Sequence, residues 1–436
     1  MNETNGSIKN KSYDVKIEGL IDKLINKFTD LDFLLKNDPV LNQNKELTVS
    51  FAQGFSGLCI LYAELDYIYP HSGWDQKGHE AIKRTIEEFE HKGTNLLSTF
   101  NGLSGLCFAV TSLSKNGERY KKLLDSLHNI LLNELEEYIE SIKSNLLNQK
   151  GINNFSYDVC YGISGIGRYL ILLENNPKAS RFLKDILEIC IDITDDITIK
   201  EEKVPGWFTP QTYNSQFETG FFDTGLAHGI CGPMNLLSIA LKNGYTVDGQ
   251  LEAIKKISYW LMDKSQLDDG KLFIPNIIPF NNETNSYNKR DAWCYGGPGI
   301  SRSLFLSGKI LGDEKISRFS KDLFNDVMKR NFKEQVNISA TFCHGLSGLL
   351  HITNIMCQDT PEKELIDYQI KVVEKILNEY DEKLPFGFQD INIINGNILH
   401  ENKMGLLEGA LGILLSLLAY KYKGSASGWD KMFLLN

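Results

Sequence analysis

Seven Gly-x-x-Gly pairs punctuate this chain of 436 residues, and each opens into a largely apolar run. They are Gly54/Gly57, Gly102/Gly105, Gly162/Gly165, Gly229/Gly232, Gly296/Gly299, Gly345/Gly348 and Gly409/Gly412, with first glycines 48, 60, 67, 67, 49 and 64 residues apart. A repeat at this period marks an architecture stacked from one supersecondary unit. The runs Leu58 to Leu65, Leu106 to Leu113, Ile166 to Leu173 and Ile413 to Tyr420 are apolar nearly all round, which predicts helices buried on several sides. Between the turns lie segments with apolar residues at helical spacing and charges on the opposite face: Ile82 to Phe89, Tyr120 to Ile142, Ala179 to Ile191, Leu251 to Leu261, Ile316 to Met328 and Glu364 to Ile376. Ile17 to Leu35 supplies one more ahead of the first turn.

Each unit therefore reads as an amphipathic outer helix, a loop, a Gly-x-x-Gly turn and a buried inner helix. Such a unit cannot cover its apolar helix alone, so neighbours must stack. An open stack needs polar caps, whereas the last unit stays apolar almost to the end of the sequence. The expected fold is thus all-α: a closed α/α toroid, or barrel, of seven helical hairpins with inner and outer layers, forming one domain over residues 1–436. The glycines belong to this scaffold, either through positive φ or through close backbone approach at a crowded hub. The polar, Asn/Lys-rich first twelve or so residues are expected to be disordered. Loops near 200–222 and 270–290, rich in Pro, aromatics and Asn, are expected to form small irregular or β extensions that wall a site.

Composition excludes some functions. The formal net charge is -10, without a Lys/Arg block, which argues against a nucleic-acid binder. Met1 to Lys11 contains no apolar signal-like core. The most apolar stretch, Gly405 to Tyr420, carries Glu408 and falls short of the ~20 apolar residues of a membrane span. Eight cysteines in such a chain point to reduced thiols and a cytoplasmic protein.

The copies differ just before the first glycine, where they read Ala52-Gln53, Phe100-Asn101, Cys160-Tyr161, Ala227-His228, Cys294-Tyr295, Cys343-His344 and Leu407-Glu408. If the turns share one rim, Cys160, Cys294, Cys343, His228 and His344 converge there. Thiolate and imidazole are zinc ligands, and three protein ligands with one open position mark a catalytic site. Spacing alone leaves open whether Cys160 or Cys294 completes the set. Cys59, Cys107, Cys190 and Cys357 sit inside helical runs and read as buried and inert, as does Cys231. Asp158, Asp223, Arg290 and Asp291 are further rim groups, Arg290 and Asp291 as supports of the Trp293-Cys294 pair.

These residues resemble the lanthionine synthetase C family, the lantibiotic cyclases. The resemblance rests on Trp293-Cys294-Tyr295-Gly296, Cys343-His344-Gly345, Ala227-His228-Gly229 and the seven turns, from about Phe51 to Tyr420. It implies a seven-fold α/α toroid with one zinc ion held by Cys294, Cys343 and His344. It also implies His228 as general acid/base, with Asp158, Arg290 and Tyr295 as the other catalytic residues, and it leaves Cys160 a neighbour of the site. The implied chemistry is intramolecular Michael addition: a cysteine thiol attacks dehydroalanine or dehydrobutyrine in a dehydrated precursor peptide, closing a lanthionine or methyllanthionine ring. Metal coordination deprotonates a thiol. His228 would move protons, Arg290 would stabilise the enolate, and Asp158 would orient His228 or Arg290. As the separate-enzyme type of cyclase, the chain would work with a dehydratase and a membrane exporter, possible membrane association coming through those partners.

Other readings stand beside this one. A zinc-dependent thiol alkyltransferase of prenyltransferase type also joins an α/α barrel to thiol activation, but would need basic residues for a diphosphate. A non-catalytic thiol-binding adaptor is the second. A glycosidase would want a rim carboxylate pair, and Asp158 and Glu408 belong to the third and seventh copies.

Overall fold

The computed structural model describes residues 2–93, 96–148, 150–211, 217, 219–281, 290–330, 332, 339–394 and 397–436. Parts of both long loops, 212–216, 218 and 282–289, lie outside the described residues. Two compact units make up the chain: Met1–Lys92 with Asn337–Gly428, and Gly93–Val336 with Trp429–Asn436.

Each Gly-x-x-Gly turn opens an inner helix, as the apolar runs predict. In the first unit these are Phe55–Ile68, Leu346–Asp359 and Ala410–Lys421. In the second they are Leu103–Leu113, Ile163–Leu170, Cys231–Lys242 and Gly297–Leu311. Almost every residue of these helices is buried, whereas the helices that follow them, such as Pro177–Asp192 and Glu314–Lys329, bury one face.

The hairpins are phased differently from the expected order. Five of the first six inner helices pack most closely on the amphipathic helix that follows, for example Gly297–Leu311 on Glu314–Lys329 and Phe55–Ile68 on Trp74–Lys92, whereas Cys231–Lys242 leans more on the inner helix Gly297–Leu311. The seventh, Ala410–Lys421, has no following outer helix and is clad by Asn2–Lys27 from the start of the chain. That helix runs through the segment expected to be disordered. The helix expected over Ile17 to Leu35 is two helices, because Asp30 accepts from Asp32 N and Phe33 N and caps a new helix, Leu31–Asn37.

Backbone bonds join successive turns inside each unit. In the second unit, Phe100 N donates to Cys160 O (3.2 Å), Val159 N to Ala227 O (3.0 Å) and Leu226 N to Cys294 O (3.0 Å). In the first unit, Phe342 N donates to Leu407 O (3.1 Å) and Leu406 N to Ala52 O (2.7 Å). Four copies carry serine before the second glycine, and its hydroxyl ties back to a carbonyl seven residues earlier: Ser56 to Val49 O, Ser104 to Leu97 O, Ser164 to Tyr157 O and Ser347 to Ala340 O. The rim residues are thus fixed by main chain, and their side chains are released for other work.

The glycines serve space more than conformation. Of the seven first glycines only Gly296 takes a positive φ, 96°. A Cβ on a second glycine would meet the preceding copy: Gly57 meets Leu406 Cβ at 3.3 Å, Gly232 Val159 Cγ2 at 2.9 Å, Gly299 Leu226 Cβ at 3.2 Å and Gly412 Phe342 Cβ at 2.9 Å. Gly299→Ala would also press on the Trp293 carbonyl at 2.5 Å. That substitution is expected to cost about 1–3 kcal/mol, read as a lower Tm. Gly19→Ala, with nothing within 4 Å of the new Cβ, should leave Tm level or higher.

Short antiparallel pairs supply the β extensions expected near the two long loops. They are Asp196–Ile199 with Glu202–Pro205, Gln266–Asp268 with Lys271–Phe273, and Phe221–Asp223 with Ile277–Pro279. A fourth pair, Asp390–Ile394 with Asn397–Glu401, lies where only loop was expected. No helix among the described residues is long and apolar enough to cross a membrane.

Candidate active site

In the second unit the site is built around His228, one residue before the fourth turn. Its Nδ1 lies 2.6 Å from Oδ2 of Asp158, and the histidine side chain keeps 25% of its surface exposed while Asp158 is fully buried. The other oxygen of Asp158 accepts from Tyr161 N (2.6 Å) and Gly162 N (2.7 Å). One carboxylate therefore holds the third turn and aims the imidazole of the fourth. Burial alone would lower the histidine pKa, but the hydrogen bond and charge of Asp158, with Asp223 and Cys294 adding, lift it above its ordinary value. Burial raises Asp158 too, partly offset by His228 and the two backbone donors. With Nδ1 engaged, Nε2 is the nitrogen left to exchange a proton with a substrate.

Aromatic rings surround that imidazole. Tyr161 stacks on it (5.8 Å between centroids, 13° between planes), Phe155 stands edge-on at 5.5 Å, and Tyr295 is tilted at 6.2 Å. The Tyr295 hydroxyl donates to Asp223 Oδ2 (2.7 Å), whose other oxygen accepts from Gly225 N (2.9 Å). Burial pushes Asp223 up to about 6 against these donors. The same environment, with Asp223 beside it, carries the Tyr295 phenol well above its usual range. Asn154 Nδ2 bridges Asp223 Oδ2 (3.3 Å) and the His228 carbonyl (3.2 Å).

Of the remaining groups in this unit, Cys294 is 4% exposed, its carbonyl receiving Leu226 N and Ala227 N. Cys160 is equally buried, and burial, with Asp158 and Cys294 nearby, pushes its thiol well above the ordinary value. Arg290 precedes the fifth turn with its Nε buried and without a hydrogen-bond partner among the described residues. Asp291 Oδ1 accepts from Arg330 Nη1 (2.5 Å) and from Gly297 N of the fifth turn (3.3 Å), and Arg330 Nη2 donates to Leu272 O.

In the first unit Cys343 is half-buried and its backbone N donates to Leu407 O (2.8 Å). His344 is 5% exposed, with Nε2 2.9 Å from Asp390 Oδ1. Asp390 Oδ2 accepts from Asn392 Nδ2 (2.6 Å) and Lys403 Nζ (3.1 Å), and Lys403 also reaches Glu401 (2.9 Å) and Glu408 (3.0 Å). Burial would raise Asp390, but His344 and Lys403 prevail and hold it below the ordinary carboxylate range. The rim glutamate, Glu408, is thereby paired with Lys403.

The chemistry of the donors fits zinc. Asp390 Oδ1 lies against Nε2 of His344, and a carboxylate on one ring nitrogen is the usual support of an imidazole that binds metal through the other. Cys343 in the same unit and Cys294 in the second unit carry thiols, the other donor type that zinc takes. Among the described residues no group of three or more His, Cys, Asp or Glu side chains is arranged to hold a metal ion, so this fit is one of donor chemistry. All eight cysteines are free thiols, and burial pushes Cys190 and Cys231 up to about 12 and Cys357 up to about 11, in keeping with inert roles. If Asp390 orients a metal-binding His344, Asp390→Asn is expected to weaken zinc affinity about 10- to 100-fold, measured by competition with a chromophoric chelator.

Three groups escaped sequence reasoning. Asp390 and Lys403 belong to no repeat, and Phe155 lies seven residues ahead of Gly162 on a short helix, Asn154–Tyr157. Tyr161 stood in view as the partner of Cys160, yet nothing local marks it as the ring that covers His228.

Comparison with known proteins places these features in context. The family described as "Lanthionine synthetase C-like protein" matches residues 45–434. Nisin biosynthesis protein NisC of Lactococcus lactis subsp. lactis is 26% identical over 406 residues, covering 89% of each chain. A solved structure of nisin cyclase superposes with a TM-score of 0.75 at 24% identity, covering 98% of both chains. The all-α, α/α-toroid fold class expected from the repeats is borne out by that likeness.

Proposed function

Because this chain belongs to the lanthionine synthetase C-like family, we propose that it is a lantibiotic cyclase, closing lanthionine and methyllanthionine rings in a dehydrated precursor peptide. The observation that carries the chemistry is the Asp158–His228 pair, a part-exposed imidazole held by a buried carboxylate. Residues 1–436 act as one cyclase domain in this reading.

The residues divide the work as follows. Cys294, Cys343 and His344 hold one zinc ion, which, when bound, lowers the pKa of a thiol brought to it. His228 accepts the substrate thiol proton at Nε2, while Asp158 fixes the ring and stabilises the imidazolium. Sulfur then bonds to the β-carbon, the β-carbon to α-carbon double bond shifts its electrons toward the neighbouring carbonyl, and an enolate forms. Arg290 and the imidazolium face this charge. The proton returns from His228 to the α-carbon, so the peptide gains and loses no atoms. Tyr295, tied to Asp223, supplies a neutral wall beside the imidazole.

The NisC relative is a nisin biosynthesis protein, and a dehydrated precursor of that general kind is the substrate class proposed for this chain. A dehydratase must supply that substrate, and an exporter is the proposed consumer, with membrane association arising through it. Ring closure leaves peptide mass unchanged and removes free thiols. Incubating the protein with a dehydrated, cysteine-containing peptide should reduce the alkylatable thiols at constant mass. Unchanged thiol counts would favour a thiol-binding adaptor, and a mass gain from a prenyl donor would favour an alkyltransferase.

A further inference from the structure

The reaction needs His228, yet two large rings beside it are left open to solvent. Phe155 and Tyr161 are 47% and 39% exposed, with centroids 5.4 Å apart. Both touch the same imidazole, one by stacking and one by its edge. The main chain that carries both rings is tied to neighbouring side chains. Asn153 Oδ1 accepts from Phe155 N (3.1 Å), and Asp158, which aims His228, also accepts from Tyr161 N (2.6 Å). Exposed apolar surface beside a reacting group invites an apolar occupant, and aromatic faces recognise one by contact area.

We propose that Phe155 and Tyr161 form a specificity seat for an apolar side chain adjacent to the dehydro residue of the substrate peptide. The proposal rests on the cyclase reading above and adds to it a preference in sequence. The peptide residue beside the acceptor packs on the two rings, which brings the acceptor carbons to the Nε2 side of His228. Both rings act as positioning residues and donate nothing to the chemistry.

Binding of unreactive peptides tests the seat apart from catalysis. Fluorescein-labelled peptides would carry one dehydroalanine, serine in place of cysteine, and leucine, glycine or lysine beside the dehydroalanine. The leucine peptide is expected to bind the wild-type protein about tenfold more tightly than the glycine peptide. Phe155→Ala and Tyr161→Ala should each reduce that ratio, and Tyr161→Phe should keep it. Phe155→Leu replaces Phe155→Ala if the latter does not fold, and must lose part of the same preference. With cysteine-containing peptides, the leucine-to-glycine ratio of kcat/KM should fall in parallel. Equal binding of leucine and glycine peptides by the wild type, preference for lysine, or an undiminished ratio in the double alanine variant would overturn the seat. Failure of the cyclase reading shows separately, as thiols that persist in the reactive peptide while the binding preference is still measurable.

Discussion

His228→Ala is expected to retain the fold and the bound zinc while cyclising about 10²–10⁴-fold more slowly. The fold should survive because the imidazole is part-exposed and hydrogen-bonds to Asp158, a residue held independently. Asp158 would keep its two backbone donors from the third turn. Thiol disappearance followed against time gives the rate, and metal analysis of the same sample gives the zinc content. Full activity in this variant would remove His228 from proton transfer. The raised pKa adds a second signature. A base must be unprotonated, so the rate should fall as pH drops through a value above that of a free imidazole. Asp158→Asn removes the charge that lifts it, and burial then lowers the group. The acid limb of the pH–rate profile should therefore move to lower pH, together with a lower maximum rate.

Cys343→Ala is expected to lose zinc and ring closure together. The reason is ligand count: three donors hold a catalytic zinc with one position open, and two leave it weakly bound. Cys160→Ala serves as the comparison. Its thiol is buried to the same degree as that of Cys294, and burial with Asp158 and Cys294 nearby raises it above the ordinary range. That variant should keep its zinc, whereas Cys294→Ala should lose it. Metal content by plasma mass spectrometry separates the three. Zinc lost from Cys160→Ala and kept in Cys294→Ala would exchange their roles.

Much of the scaffold was legible because it repeats. The inner helices begin where the Gly-x-x-Gly pairs say, since a buried helix needs apolar residues on all sides and a crowded entry admits no Cβ. Phasing of the hairpins was misread. A repeating string of inner and outer helices can be cut before either kind, and only packing shows that Gly297–Leu311 lies on Glu314–Lys329 and that Asn2–Lys27 covers Ala410–Lys421. Asp30 broke a helix that periodicity had carried through, because one capping carboxylate outweighs a weak apolar pattern.

The sequence by itself determined the seven turns, the all-α class and the places where cysteine and histidine interrupt the repeat: Cys160, His228, Cys294, Cys343 and His344. Tertiary structure alone decided which partner each of these acquired. Asp158 meets His228 across 70 residues, and Asp390 meets His344 across 46 from a hairpin outside the repeat. Tyr161 covers one imidazole and Lys403 steadies the carboxylate behind the other. Periodicity records which face of a helix is buried. A hydrogen bond between copies depends on how those faces stack, and that information exists only once the chain has folded.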